Sequence, residues 1–421
     1  MGHDLMMVAR QKAMTIRTDK EYSALASSFI HWSRGNLYNT VISGGRLDDR
    51  TAVELSLIRM ARQTKTKGER PVPVIILEQG NQVMEQKFCR EGCNARLSNG
   101  NACIEPLAGL SDREIAGRLY TVAKTLDSNC SSGLRGLLRI GCELLRKQNK
   151  TPGIMTLSQL PWNRLGAYID RMVENDELEQ EEAMVILGEL GQLSGDTGQA
   201  DDLLDQLSRE YSTMRAENVP VISLEQIISG YGVACLRLVS GMRAMRELIA
   251  LSLQKATLQG KQFLLVADSV TIPTGESYLR ELLCAHSSEY ALVMSYEDMP
   301  ARLSDSFAGL ISGDTNIVLF AHQSGNSTEA WANFIGKSYQ IKESSSYSES
   351  RAQTQLLDRQ ISRSRSREEE LRYRITCEQI QSLPVGQAIV QSGEPGAGLW
   401  FVDFPRLFTL QQNKALQLRG R

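Results

Sequence analysis

Apolar residues near the start of the chain fall into a strand, turn, helix, strand order. Residues 38–43 form a short apolar run that ends at Gly44-Gly45, and Val53, Leu57, Met60 and Ala61 then recur at i, i+4, i+7 and i+8. The first predicts a strand closed by a tight turn, the second a helix with one buried face. After a basic linker at 65–70, the continuous apolar run 72–77 suits a parallel strand covered on both faces. Strand, helix and strand within about forty residues make a βαβ unit. Upstream, residues 21–32 have helical spacing and stop at Arg34-Gly35-Asn36. Downstream, 81–90 reads as helix, and 94–97 and 102–104 as short strands.

From 111 to 258 strand-like runs vanish and helical periodicity takes over. Ser111-Asp-Arg-Glu114 is a capping box, and helices are expected at 131–147, 165–174, 180–193, 201–214 and 223–258, the last opened by Ser223 and Gln226. Alternation then returns: strand 261–269 ending at Asp268, helix 276–286, strand 290–294, helix 299–303, strand 316–320, helix 327–335 and strand 339–342. Residues 344–374 are rich in Ser, Gln and Arg. A basic tract can touch nucleic-acid phosphates, but Glu368 and Arg372, like Glu370 and Arg374, are i,i+4 pairs in the favourable order, so a solvated loop running into a charged helix is expected. Residues 377–383 read as a helical turn, 388–391 and 399–402 as strands, and 393–398 as the turn between them. The pattern as a whole predicts a doubly wound α/β fold in three stretches: 1–110, an inserted all-α domain at 111–222, and 223–421 returning to the sheet.

Composition narrows the function classes only by exclusion. The 421 residues carry a formal net charge of −2, so nothing global draws the chain to nucleic acid or an anionic membrane. No window of about 18 residues is free of charge, and a membrane span is not expected. Eight cysteines without pairwise spacing, and no secretory signal, point to free thiols in a reducing compartment. Cys89-x3-Cys93 lacks a second Cys or His pair for zinc. Asp196, Asp201, Asp202 and Asp205 lack the order of a calcium loop and are assigned to the start of a helix, where acids complement the dipole. His286 and His322 fall at element ends, where hydrogen-bonded or solvated rings are the ordinary case.

The chemistry-bearing stretch is the glycine turn. On the phosphate-loop pattern G-x-x-x-x-G-K-[ST], Gly44 takes the first glycine, Asp49 stands at the second, Arg50 at the lysine and Thr51 at the hydroxyl. Asp268, at the tip of an apolar strand, stands where such ATPases hold Mg²⁺, but Ser269 follows it where a glutamate would polarise water. Asp48 and Asp49 repel a phosphate, and the planar fork of Arg50 does not replace an ammonium.

Four further segments extend the pattern: Ile104-Glu-Pro-Leu-Ala-Gly-Leu-Ser-Asp-Arg-Glu-Ile, Ser295-Tyr-Glu-Asp-Met-Pro, Ser324-Gly-Asn-Ser-Thr-Glu-Ala-Trp-Ala-Asn-Phe-Ile-Gly336 and Ile380-Gln-Ser-Leu-Pro-Val-Gly-Gln-Ala-Ile-Val390. In this order and spacing they resemble the cytosolic part of type IV secretion coupling proteins, the TraG/TraD-like family of conjugation ATPases. The resemblance runs through most of the chain. It implies a RecA-like P-loop NTPase core with an inserted all-α domain, assembled as a homo- or hetero-hexamer with secretion-system proteins, and DNA or protein as cargo. It also implies a cytoplasmic location, at the inner face of the membrane through partners, since the family's N-terminal membrane segments find no counterpart in this sequence. The loop departures reduce the expected activity: losing a general base alone costs roughly 10²–10⁴ in rate. The expectation is a pseudo-ATPase retained for recruitment or assembly, with weak ATP and Mg²⁺ binding through Gly44, Gly45, Arg50, Thr51 and Asp268 left open. An active ATPase using Arg50 and Thr51, and an unrelated α/β interaction protein, are the alternatives.

Overall fold

The computed structural model describes residues 39–403 except 64–69, 90–92, 98–99, 194–195, 215–218, 274–275, 285–289, 304–314, 323, 352–358 and 392–398. The expected helix at 21–32, the linker at 65–69, His286 and the turn at 393–398 lie outside the described residues.

The glycine turn follows β1 (Thr40–Ser43), the strand around which the sheet is ordered. β1 pairs in parallel with β8 (Tyr290–Tyr296) on one side and β9 (Asn316–Leu319) on the other. Beyond β8 come β7 (Phe263–Asp268), β2 (Val74–Glu78) and β6 (Val233–Arg237), all parallel. Antiparallel pairing appears on both flanks. β12 (Gln387–Gln391) and β13 (Leu399–Asp403) lie beyond β9. On the other side, β3 (Ala95–Leu97), β4 (Gly100–Ile104) and β5 (Val221–Ile222) complete a sheet of eleven strands among the described residues.

Alternate residues of the central strands supply two separate cores. Ile42, Val74, Ile76, Leu264, Val266 and Val293 pack with Val53, Leu57 and Ala61 of helix α1 (Leu47–Gln63) on one face. Val41, Ile75, Leu77, Leu265 and Leu292 face the other way. Both parities are apolar, which is why these strands read as unbroken runs. The second core continues into helices between β4 and β5: α3 (Asp112–Leu126), α4 (Leu134–Lys147), α5 (Ile154–Ser158), α6 (Leu165–Glu174), α7 (Gln180–Leu193) and α8 (Thr197–Ser212). Because β4 pairs in parallel with β5, this helical segment leaves and re-enters the sheet at neighbouring strands. The capping box of Ser111 and Glu114 forms as expected.

Three expectations are corrected. Residues 223–258 are not one helix. The capping box of Ser223 and Gln226 opens the short α9 (Leu224–Ser229), which stops at Gly230-Tyr231-Gly232 with Tyr231 at φ 54°. β6 follows, and a second helix, α10 (Arg243–Leu258), runs on from it. A continuous apolar run does not distinguish strand from helix, and here the flanking glycines decide. Residues 344–374 are not a loop and helix. β10 (Lys337–Arg351) and β11 (Arg359–Tyr373) form an antiparallel two-stranded ribbon that includes the expected strand at 339–342. The Ser-Arg alternation from Ser362 to Arg367 has period two, the strand signature, which the i,i+4 reading overrode. Finally, α8 begins at Thr197, so Asp201, Asp202 and Asp205 lie inside the helix rather than at its start. There Asp201 accepts from Asn163 Nδ2 (3.0 Å) and Asp205 pairs with Arg209 (2.8 Å).

Candidate functional site

The turn after β1 is short and fully engaged with its neighbours. Gly44 and Gly45 have φ of 82° and 67°, the left-handed region that glycine enters without penalty. A Cβ on Gly44 would meet Phe320 O at 2.7 Å, and one on Gly45 would meet Phe320 Cβ at 2.8 Å. Close packing against the tip of β9 therefore demands both glycines. Gly44 N–H donates to the carbonyls of Tyr296 and Glu297 (3.1 Å each), and Gly45 N–H to that of Ala321 (2.9 Å). Ser43 Oγ and His322 Nε2 lie 3.0 Å apart beneath the turn. Desolvation lowers the pKa of His322 against the opposing charge of Asp298, with Arg50 adding to the lowering.

Helix α1 starts at Leu47, so Asp48 and Asp49 occupy its first turn. Asp49 accepts from Arg46 N–H at 3.3 Å. Arg50 points inward. It is 4% exposed, and its Nη1 donates to the carbonyls of Gly44 (3.2 Å) and Gly45 (3.0 Å). A phosphate cradle presents free backbone N–H groups to an anion. Here the glycine N–H groups are spent on the sheet, and the carbonyls close around a guanidinium of the same chain.

Below Arg50 lies a group of buried acids. Asp268 ends β7, and Glu78 ends β2 directly opposite it in register. Asn81, the N-cap of α2 (Gln82–Phe88), joins them: its N–H donates to Glu78 Oε2 (2.7 Å), and its Nδ2 donates to Asp268 Oδ2 and to Thr51 Oγ1 (2.8 Å). Ser269 Oγ donates to the other oxygen of Asp268 at 3.0 Å. Glu54, one turn beyond Arg50, is fully buried, and neither of its oxygens has a hydrogen-bond partner. Desolvation, then the charge of Asp268, raise its pKa well above the usual carboxylate value, against weaker pulls from Ser295 and Arg50. Asp268 is raised as well, by desolvation, with Asn81, Ser269 and Arg50 opposing. Donors surround Asp268, and the upward push is the larger on Glu54.

The structure thus brings Gly44, Gly45 and Arg50 into direct contact and links Thr51 to Asp268 through Asn81. A cleft of about 790 Å³ opens beside the turn, lined by Arg46, Asp49, Arg50, Glu297, Asp298 and Val385 among others. Thr51, Glu78 and Asp268 are buried and do not line it. Among the described residues no group of three or more His, Cys, Asp or Glu is arranged to hold a metal ion. Three participants went unnoticed in the sequence, and each had a signal. Glu78 ends an apolar strand as Asp268 does, Glu54 lies at i+4 from Arg50, and Asn81 opens a helix.

No family model and no curated protein sequence matches the chain. Solved structures do. The bacterial conjugative coupling protein TrwBdeltaN70, in its unbound monoclinic form, aligns over 87% of this chain and 84% of its own at 14% identity, with a TM-score of 0.51. TrwB in complex with the non-hydrolysable GTP analogue GDPNP aligns over 87% and 85% at 14% identity, with a TM-score of 0.49. The chain has the fold of a conjugative coupling protein. That fold is a RecA-like P-loop NTPase core, in which one strand, here β8, separates the loop strand from the strand bearing Asp268. No described helix is long and apolar enough to cross a membrane.

Proposed function

We propose that the chain is a coupling-protein-like component of a conjugation or type IV secretion channel that recruits substrates or supports assembly, with its nucleotide site closed. The observation that carries this reading is the double engagement of the turn: its glycine N–H groups bind sheet carbonyls, and its own carbonyls bind Arg50. A nucleotide would have to displace Arg50 from a buried position between Glu54 and the turn. Its phosphates would also enter beside Asp48 and Asp49. The test is equilibrium titration of the purified chain with a fluorescent ATP analogue and Mg²⁺, alongside an ATP hydrolysis assay. No saturable binding at millimolar nucleotide is expected, and stoichiometric binding overturns the closed-site reading.

In this reading the fold serves contacts with secretion-system proteins, within a ring of like or unlike subunits, and the chain reaches the inner membrane face through them. DNA and protein both remain candidate cargo. The helical segment 112–221 is the proposed recognition surface, because its outward faces can vary without disturbing the strands that hold the turn. Deleting it should abolish partner capture by the remaining chain, and unchanged capture removes the assignment.

One observation favours an active ATPase instead. Glu78 stands beside Asp268 and supplies the second carboxylate that Ser269 does not. Hydrolysis by the purified chain that is lost in both Asp268→Ala and Glu78→Gln would establish that reading.

A further inference from the structure

Two of the eight thiols are neighbours across a helix–strand contact. Cys89 is the C-cap of α2, its N–H donating to Glu85 O at 2.7 Å, and its side chain is half-buried. Its Sγ donates to the carbonyl oxygen of Cys235 at 3.3 Å, across 146 positions of sequence. Cys235 sits in the middle of β6, 1% exposed, in the apolar core against which Phe88 and Cys89 pack. The Cys89 thiol is the strongest influence on the Cys235 thiol. Together with burial it holds that group well above the usual thiol value. One thiol thus belongs to a partly exposed residue and the other is kept as a protected thiol beside it.

We propose that Cys89 and Cys235 are an oxidative modification site, at which hydrogen peroxide converts the pair to a reversible intramolecular disulfide. The Cys89 thiolate attacks one peroxide oxygen, the O–O bond breaks, and a sulfenic acid forms as the first water leaves. Cys235 then attacks the sulfenic sulfur. The S–S bond forms, the S–O bond breaks, and the second water carries away the proton of Cys235. Two thiols lose two electrons and two protons, and one hydrogen peroxide becomes two waters. Burial makes Cys235 a slow nucleophile in bulk terms, but it is held next to its target, and proximity compensates for low thiolate fraction.

The other thiols have different settings. Cys142, deep among the helices, is pushed up to about 12 by burial. Cys130 lies at the far end of the helical segment, its Sγ nearest to Ser131 O and Gln199 Oε1. The staple has a structural consequence at the candidate site. It would pin the C-terminal end of α2 to the sheet, and the N-terminal end of that helix is Asn81, which holds Thr51 and Asp268 together.

The test treats the full chain with hydrogen peroxide, alkylates the remaining thiols under denaturing conditions, and maps the peptides by mass spectrometry. The expected product is a cross-linked peptide pair containing Cys89 and Cys235 that separates on addition of a phosphine reductant. Cys142 and Cys130 should stay fully alkylated. In Cys89→Ser, a change at the half-buried position that spares the core, Cys235 should remain alkylated after the same treatment, with the thermal midpoint of the variant confirming its fold. Recovery of Cys89 as sulfinic or sulfonic acid with Cys235 alkylated overturns the proposal. So does a cross-link from Cys89 to Cys93, or to a second chain.

Discussion

Replacing Glu54 by Gln tests whether the buried acid pair carries its proton where the geometry requires. Glu54 is completely buried, both of its oxygens lack partners, and Asp268 adds like charge. Its folded pKa is therefore raised, whereas the unfolded chain ionises it near about 4.3. For an acid raised on folding, the native state binds the extra proton. Stability is then fully present below the unfolded value and is lost as pH rises toward the folded one. One proton taken up on folding changes stability by roughly 1.4 kcal/mol per pH unit within that window. Glu54→Gln has no proton to lose, and its amide can donate toward Asp268. Urea unfolding of both proteins as the pH is raised from below about 4.3 should show the wild type losing stability relative to the variant. Glu54→Gln should be the more stable protein at neutral pH. Parallel stability curves would mean that Glu54 is already ionised in the native protein, and the assignment of the proton would be wrong.

Arg50→Met removes the guanidinium that satisfies the Gly44 and Gly45 carbonyls and faces Glu54 and Asp268. Breaking a buried charged contact costs about 3–5 kcal/mol, measurable as a lower urea midpoint. Gly44→Ala forces a Cβ to 2.7 Å from Phe320 O at a φ of 82°. It should cost about 1–3 kcal/mol through backbone strain alone, read by thermal unfolding. Arg118 ties helix α3 to Glu225 of α9 (2.7 Å) and to Ser252 Oγ of α10 (2.7 Å). Arg118→Ala should cost about 3 kcal/mol or more, with Glu225→Gln milder because it leaves a partner for the guanidinium. Glu210 of α8 accepts from Met245 N–H at 2.7 Å in the first turn of α10. Glu210→Ala should cost about 1–2 kcal/mol, the usual loss of an N-terminal cap, and amide exchange at Met245 should accelerate.

Much of the core was legible because its signals were local and doubled. Residues 72–77 and 263–267 are apolar at every position, and both faces of those strands are covered. Ser111 with Glu114, and Thr51 following the glycine turn on one helix, needed no long-range information. Two of the failures share one physical cause. In 223–258 and in 344–374 two periods fit the same residues, and only tertiary pairing chose between them. β6 is a strand because β2 and β3 flank it, and the 359–373 stretch is a strand because 337–351 lies in register with it. The site was half legible for a related reason. Residues that match a phosphate-loop template stand out one by one. The inward turn of Arg50 and the bridge by Asn81 depend on three strands meeting at one edge of the sheet.

The departures from the template are not independent losses. With a glycine at position 49 and a lysine at 50, the turn would present N–H groups and a mobile ammonium to a phosphate, and buried acids below it would be balanced by a bound cation. Here the guanidinium supplies the positive charge from within the chain. It reaches the Gly44 and Gly45 carbonyls with one nitrogen while its charge lowers the cost of burying Glu54 and Asp268. A helix that begins at Leu47 brings Arg50 to that position and at the same time removes the loop that would wrap an anion. The start of this helix at Leu47 thus goes with both the engaged turn and a guanidinium placed near the buried acids. In the proposed closed-site reading, Arg50→Lys alone does not open the turn to a phosphate. A lysine there still begins inside the helix, beside Asp49, under a turn whose glycine N–H groups are already bound.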